Sequence, residues 1–215
     1  GLVRVAGKLG ITGKRDIEGF VRAADQIVVA LSEDLGGDVE EVINQVGKLV
    51  DVFHLKDTYG IEDAMLKVGS VINSLGAAST ANEGYIVEFT KRVAGIAPMA
   101  GVTATDVMGL AATLDQFGQT AEVSSTVYSQ MVMKMFQDTG TYARLAGMDV
   151  KDFSTLLNDD VNEAFIRVLD GMKGNNAGMQ AVVDSMGEMG LEGKRAIGVL
   201  GVLSSNTETL RQQQE

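Results

Sequence analysis

Cysteine and tryptophan are absent from the 215 residues, and proline and histidine occur once each. Without cysteine the chain can form no disulfide and no thiolate metal site. A single proline and an aromatic content of 5% argue against an all-β domain, which needs turn prolines and strands rich in aromatic and β-branched residues. Long apolar runs are missing as well. The longest uncharged stretches, Val68–Asn82 and Val93–Thr105, fall short of the roughly 18 residues that a membrane span requires. Basic clusters are also absent. Lys14–Arg15, Lys91–Arg92 and Lys194–Arg195 are isolated pairs near expected helix ends, in a chain of net charge −11. An acidic surface repels phosphate backbones, so no nucleic-acid partner is expected, and no membrane contact by this segment.

What is present is helical periodicity. Ile17, Phe20, Val21, Ala24, Ile27, Val28 and Leu31 recur at steps of three and four, giving one apolar stripe along 16–31. Val39, Val42, Ile43, Val46, Leu49, Val50 and Phe53 repeat the pattern behind a capping box of Asp38 and Glu41. Ile61, Met65, Val68, Ile72 and Leu75 form a third stripe. Thr80 with Glu83 reads as the capping box of a helix over 81–97, which Pro98 stops by barring helical geometry at Ala97. Further helices are expected at 104–117, 121–137, 150–157, 161–172, 177–189 and from Glu192 to the polar end Arg211–Glu215. The expected fold is all-α: a compact bundle of nine to ten short-to-medium helices joined by Gly-containing turns. Gly1 in place of an initiator Met, with that uncapped end, points to a single helical domain over 1–215 cut from a longer protein, divisible into lobes 1–98 and 99–215.

Glycine is abundant, with 26 residues, about 12% of the chain against a usual ~7%. Four junctions share one form: Leu9-Gly10-Ile11-Thr12, Ala100-Gly101-Val102-Thr103, Ala146-Gly147-Met148-Asp149 and Met189-Gly190-Leu191-Glu192. Each reads as a helix end with glycine in the left-handed conformation, an apolar residue folding back, and a polar residue opening the next helix. A recurring turn explains them better than a solenoid repeat, because the segments between share no further pattern.

Nothing in the sequence looks built for catalysis, and no catalytic, cofactor-binding or metal-binding residue is assigned. His54, the only histidine, ends an apolar stripe, where a helix C-terminus favours a cation. With no second His, no Cys and no H-E-x-x-H spacing, it has no partners for nucleophilic or metal chemistry. Gly171–Asn176 is the nearest approach to a phosphate cradle, and it reads as a loop between helices. Asp159–Asp160 and Glu40–Glu41 are adjacent acids that do not share a helix face and instead serve helix starts. Met172, Met179 and Met186 are spaced by seven, with Leu169 and Val183 between, which fits either core packing or a short coiled-coil-like partner face. Met131, Met133 and Met135 cannot share one helix face, so at least one is expected to be exposed or to meet another element.

Within Ala64–Thr126 five consecutive motifs stand out: VINSLG at 71–76, AAST at 77–80, RVAGIA at 92–97, GVTATDV at 101–107 and AATLDQFG at 111–118. In this order they resemble the core region of phage tail tape measure proteins. The likeness extends upstream over 10–55 and, more loosely, downstream from Ser129. The resemblance implies a structural virion component acting in tail assembly and tail length determination, in the phage tail and, during assembly, in the bacterial cytoplasm. Implied partners are other tape measure copies, the tail tube and tail-assembly chaperones. A segment broken every 10–20 residues by glycine turns is a poor ruler, so a docking or initiation role is expected of it. Two other readings stay open: a membrane-active or pore-forming helical domain, motivated by the apolar stretch 196–203, and an all-α enzyme or regulator, in which His54 and Asp159–Asp160 would be the residues to replace.

Overall fold

The computed structural model describes residues 1–186 and 191–215, with Leu191 and Glu192 described by backbone alone. Among the described residues the chain forms fourteen α-helices and no strand. They are α1 (Leu2–Lys8), α2 (Lys14–Leu35), α3 (Val39–Val52), α4 (Leu55–Tyr59), α5 (Ile61–Ala78), α6 (Glu83–Arg92) and α7 (Ala104–Gln116), followed by α8 (Ala121–Gln137), α9 (Thr139–Leu145), α10 (Val150–Asp159), α11 (Val161–Met172), α12 (Asn176–Ser185), α13 (Leu191–Ser205) and α14 (Thr207–Gln214). The count exceeds the nine to ten expected from periodicity. Three of the additional helices, α1, α4 and α9, are only five to seven residues long, too short for a 3.6-residue period to show. The fourth arises because the last helix breaks at Asn206, where the backbone leaves helical geometry at φ −133° and ψ 33°.

The apolar stripes do what their spacing requires. Phe20, Ala24, Ile27 and Leu31 of α2 are buried against α5, whose Ile61, Met65, Val68, Ile72 and Leu75 are all buried in turn. In α3, Val42, Ile43, Val46, Leu49 and Val50 are buried, while Val39 at the edge of the stripe is exposed. The centre is α7. From Val107 to Leu114 it carries no charged residue, and it is buried all round, touching α5, α6, α8, α13 and α14. A helix apolar on every face can only be satisfied by such a position. Around it Tyr128 of α8 bridges Phe89 of α6 and Phe165 of α11, with ring centroids at 6.2 and 5.2 Å. The buried apolar side chains form one connected cluster from Val5 to Leu210.

The glycine junctions are Schellman turns. At Gly10 (φ 73°) the Gly10 N–H donates to Gly7 O and the Ile11 N–H to Ala6 O, at 3.1 and 2.9 Å. Gly101 and Gly147 repeat the pair, and Gly118 makes a further one that the sequence reading missed, because polar Gln119 follows it rather than an apolar residue. Ile11 and Val102, the residues folding back, are buried as expected, and Met148 is partly buried. The junction at Gly190 lies outside the described residues.

Two boundary expectations are corrected. Thr80 does not cap α6. Asn82 does, its side chain accepting from the Tyr85 N–H at 3.1 Å while its own N–H is taken up by Asp115 at 2.6 Å. Nor does Pro98 end that helix. α6 stops at Arg92, and residues 93–101 run on as successive tight turns containing Gly95 and Pro98, neither of which supports a helical ladder. The polar end Arg211–Glu215, expected as a continuing helix, lies mostly in α14, which folds back onto α7 after the break at Asn206. In total the chain exposes 10168 Å², close to the roughly 9,500 Å² of a compact monomer of 22.7 kDa.

Candidate functional site

The residues weighed for chemistry end up in structural positions, and the fold does not bring them together. His54 follows the C-cap of α3 with φ 53°, the one non-glycine residue at positive φ among those described, and its N–H closes the turn onto Asp51 O at 3.1 Å. It occupies the place a C′ glycine usually fills. Its exposed side chain has no hydrogen-bond or ion-pair partner among the described residues. Asp159 ends α10, and Asp160 caps α11, accepting from the Glu163 N–H at 3.0 Å. Glu40 and Glu41 lie in the first turn of α3, where carboxylates meet the positive end of the helix dipole.

The Gly171–Asn176 segment is only partly a loop. Gly171 belongs to α11, Gly174 makes a left-handed turn at φ 66°, and Asn175 caps α12 by accepting from the Gly178 N–H at 2.9 Å. That turn also removes the coiled-coil reading of Met172, Met179 and Met186. The seven-residue spacing crosses the break between α11 and α12, Met172 and Met186 are buried, and Met179 packs against the core. The second methionine expectation holds: Met131 and Met135 are buried, and Met133 is 45% exposed. Among the described residues no group of three or more His, Cys, Asp or Glu could hold a metal ion.

Two surface features stand out among the described residues. The larger is an open groove of about 990 Å³ between α4–α5 and the start of α7. Its floor is apolar, from Leu66, Val68, Val102 and Met108, and its rim carries His54, Asp63 and Lys67, whose ammonium lies 4.8 Å from the centre of the Tyr59 ring. The smaller is an apolar depression of about 270 Å³ between the 93–101 turns and the end of α8, surrounded by Met99, Met133 and Phe136. These three side chains are 81%, 45% and 44% exposed, so the apolar surface here is on offer rather than packed. Sequence reasoning missed it because Met99 lies in a turn with no periodicity, and Phe136 falls at the end of α8 just past its buried stripe.

The perturbed titrating groups belong to packing. Burial pushes the Tyr85 hydroxyl up to about 12 while it donates to Gln119 O at 2.6 Å. Burial raises Tyr128 as well, and it raises the half-buried Asp106 against the hydrogen bonds from Thr103 that would lower it. Glu163 is held below the usual carboxylate range chiefly by hydrogen bonds from Arg211. None of these groups faces either surface feature.

No helix among the described residues is long and apolar enough to cross a membrane. The stretch 196–203, which motivated a pore-forming reading, places Ala196, Val199, Leu200 and Leu203 in the core and leaves Ile197 exposed. No curated protein and no solved structure matches the chain. The sequence pattern of one family, described as phage-related minor tail proteins, matches residues 2–183, which is most of the chain and contains α7 with its neighbours α5, α6 and α8. This chain belongs to the phage-related minor tail protein family.

Proposed function

We propose that this chain is a folded segment of a tail tape measure protein, a virion component that acts in tail assembly and tail length determination. Membership of the minor tail family supports the coarse role, a structural part of the phage tail. The motif series over 64–126 supports the finer one. The reading assigns the segment no catalytic, cofactor or metal role. It places the segment in the phage tail, after assembly in the bacterial cytoplasm, with further copies, the tail tube and tail-assembly chaperones as partners.

Within such a protein the segment docks rather than measures. The observation that carries this is the folding back at Gly10, Gly101, Gly118 and Gly147, which turns the helices into a packed body. An unbroken helix of 215 residues would span about 320 Å at ~1.5 Å per residue. The test is a tandem duplication of the segment in the parent phage, with tail length read by electron microscopy. A docking body leaves tail length unchanged to within its own diameter, about 45 Å for a compact chain of this size. Lengthening by about 320 Å would make the segment a ruler. Absence of its peptides from purified tails would remove the virion assignment altogether.

A further inference from the structure

The last helix is held in an unusual manner. α14 buries one apolar side chain, Leu210, and otherwise docks through polar groups. Asn162 and Gln214 exchange two amide hydrogen bonds at 2.9 and 3.0 Å. Gln214 also donates to Asp106 O at 2.9 Å, Gln213 to Gln116 at 3.2 Å, and Thr207 to Asp170 at 2.6 Å. Arg211 spans Glu163 with both terminal guanidinium nitrogens. The receiving groove between α7 and α11 is shaped for this helix: a Cβ at Gly109 would lie 2.6 Å from Gln213 O.

The connection to α13 is a single residue. Asn206 alone departs from helical geometry between Ser205 and Thr207, held by its side chain donating to Val202 O at 2.8 Å. If Asn206 turns helical, α13 and α14 become one helix of about 36 Å, which carries α14 out of its own groove. Opening uncovers Leu210 and the face of α7 that α14 covers, and a second α14 entering the groove buries that face again. The vacated groove then fits one kind of helix, another α14.

We propose that α14 is exchangeable between copies: two copies of this chain associate by reciprocally inserting α14 into each other's α7–α11 groove, with Asn206 as the hinge. Every bond by which α14 docks on α7 and α11 is remade across the pair, so the hinge geometry and the concentration set the balance between closed monomer and swapped dimer. The partner is a second copy of this chain, and the inference does not rest on the tape measure reading.

The test is the mass in solution of the chain and of Asn206→Ala, measured by light scattering after size exclusion over a roughly hundredfold concentration range. Alanine removes the side-chain bond that holds the kink and favours helix through the hinge. Two hinges per dimer should move the dimerisation constant roughly tenfold towards dimer. Reciprocity is read from two variants of the 215-residue chain. Gly109→Leu blocks the groove but keeps α14, and Leu210→Asp disables α14 but keeps the groove. Each alone should be monomeric, and their mixture should form a one-to-one pair. A monomeric Asn206→Ala across the whole range overturns the proposal, as does a dimer that persists in both blocked variants. If either blocked variant fails to fold by circular dichroism, the Asn206→Ala result decides.

Discussion

Arg211 donates to both carboxylate oxygens of Glu163, at 2.8 and 3.1 Å, and so joins the last helix to α11 across 48 residues of sequence. Glu163 accepts from Arg167 on its own helix as well, at 2.9 Å. One carboxylate thus gathers two cations, which is why its affinity for a proton falls.

The pH dependence follows with a definite sign. A carboxylate whose pKa is lower folded than unfolded contributes stability above its unfolded value, near 4.5, and loses it as pH falls through the folded value. Glu163→Gln should therefore cost about 1 kcal/mol at neutral pH, a figure kept small because both partners are partly solvated. Thermal melts at stepped pH should show the gap between wild type and variant steady above about pH 5 and closing below it. A gap that widens in acid would contradict the assignment.

His54 stands where the backbone asks for glycine. At φ 53° a side chain with a Cβ is disfavoured by roughly 1 kcal/mol, and the exposed imidazole has no partner to offset this. His54→Gly should raise stability by about 0.5–1 kcal/mol, a melting shift of a few degrees for a chain of this length. His54→Ala should give no such gain. If glycine destabilises, the side chain holds something the fold does not show.

Gly171 makes the opposite case. A Cβ there would overlap the Leu145 carbonyl oxygen, part of the backbone of α9, which cannot swing aside as a side chain can. Gly171→Ala should cost about 3 kcal/mol by forcing α9 and α11 apart. The control is Gly198, exposed in α13 with open space around it, where alanine should be stabilising by about 0.5–1 kcal/mol. Urea denaturation of the two variants separates a packing glycine from a merely tolerated one.

Sequence reading reached far where local chemistry decides. The bounds expected for α8 and α11 match the structure, in which Thr120 and Asp160 cap the two helices. The left-handed turns at Gly10, Gly101 and Gly147 were legible for the same reason. What was not legible depends on partners distant in the chain. Asn82 won the cap of α6 over Thr80 with its own N–H bonded to Asp115, 33 residues on. The kink at Asn206 pairs with a groove on α7 that no pattern within 191–215 reveals. The candidate site was least legible, since Met99 and Phe136 meet across a turn and a helix end.

The methionines of α8 allow a direct test of that division. Met131 is fully buried, and Met133, two residues on, is 45% exposed beside Met99 and Phe136. Met131→Ala should cost about 2–4 kcal/mol through the cavity it leaves, and Met133→Ala less than about 0.5 kcal/mol. Equal costs would mean the register of α8 is wrong.

The chain is folded back on itself, and small-angle X-ray scattering of residues 1–215 at low concentration measures this most directly. The fold predicts a radius of gyration of about 17 Å, the value for a compact chain of this length. Helices laid end to end over about 320 Å would give about 90 Å, and a value approaching that would contradict the account.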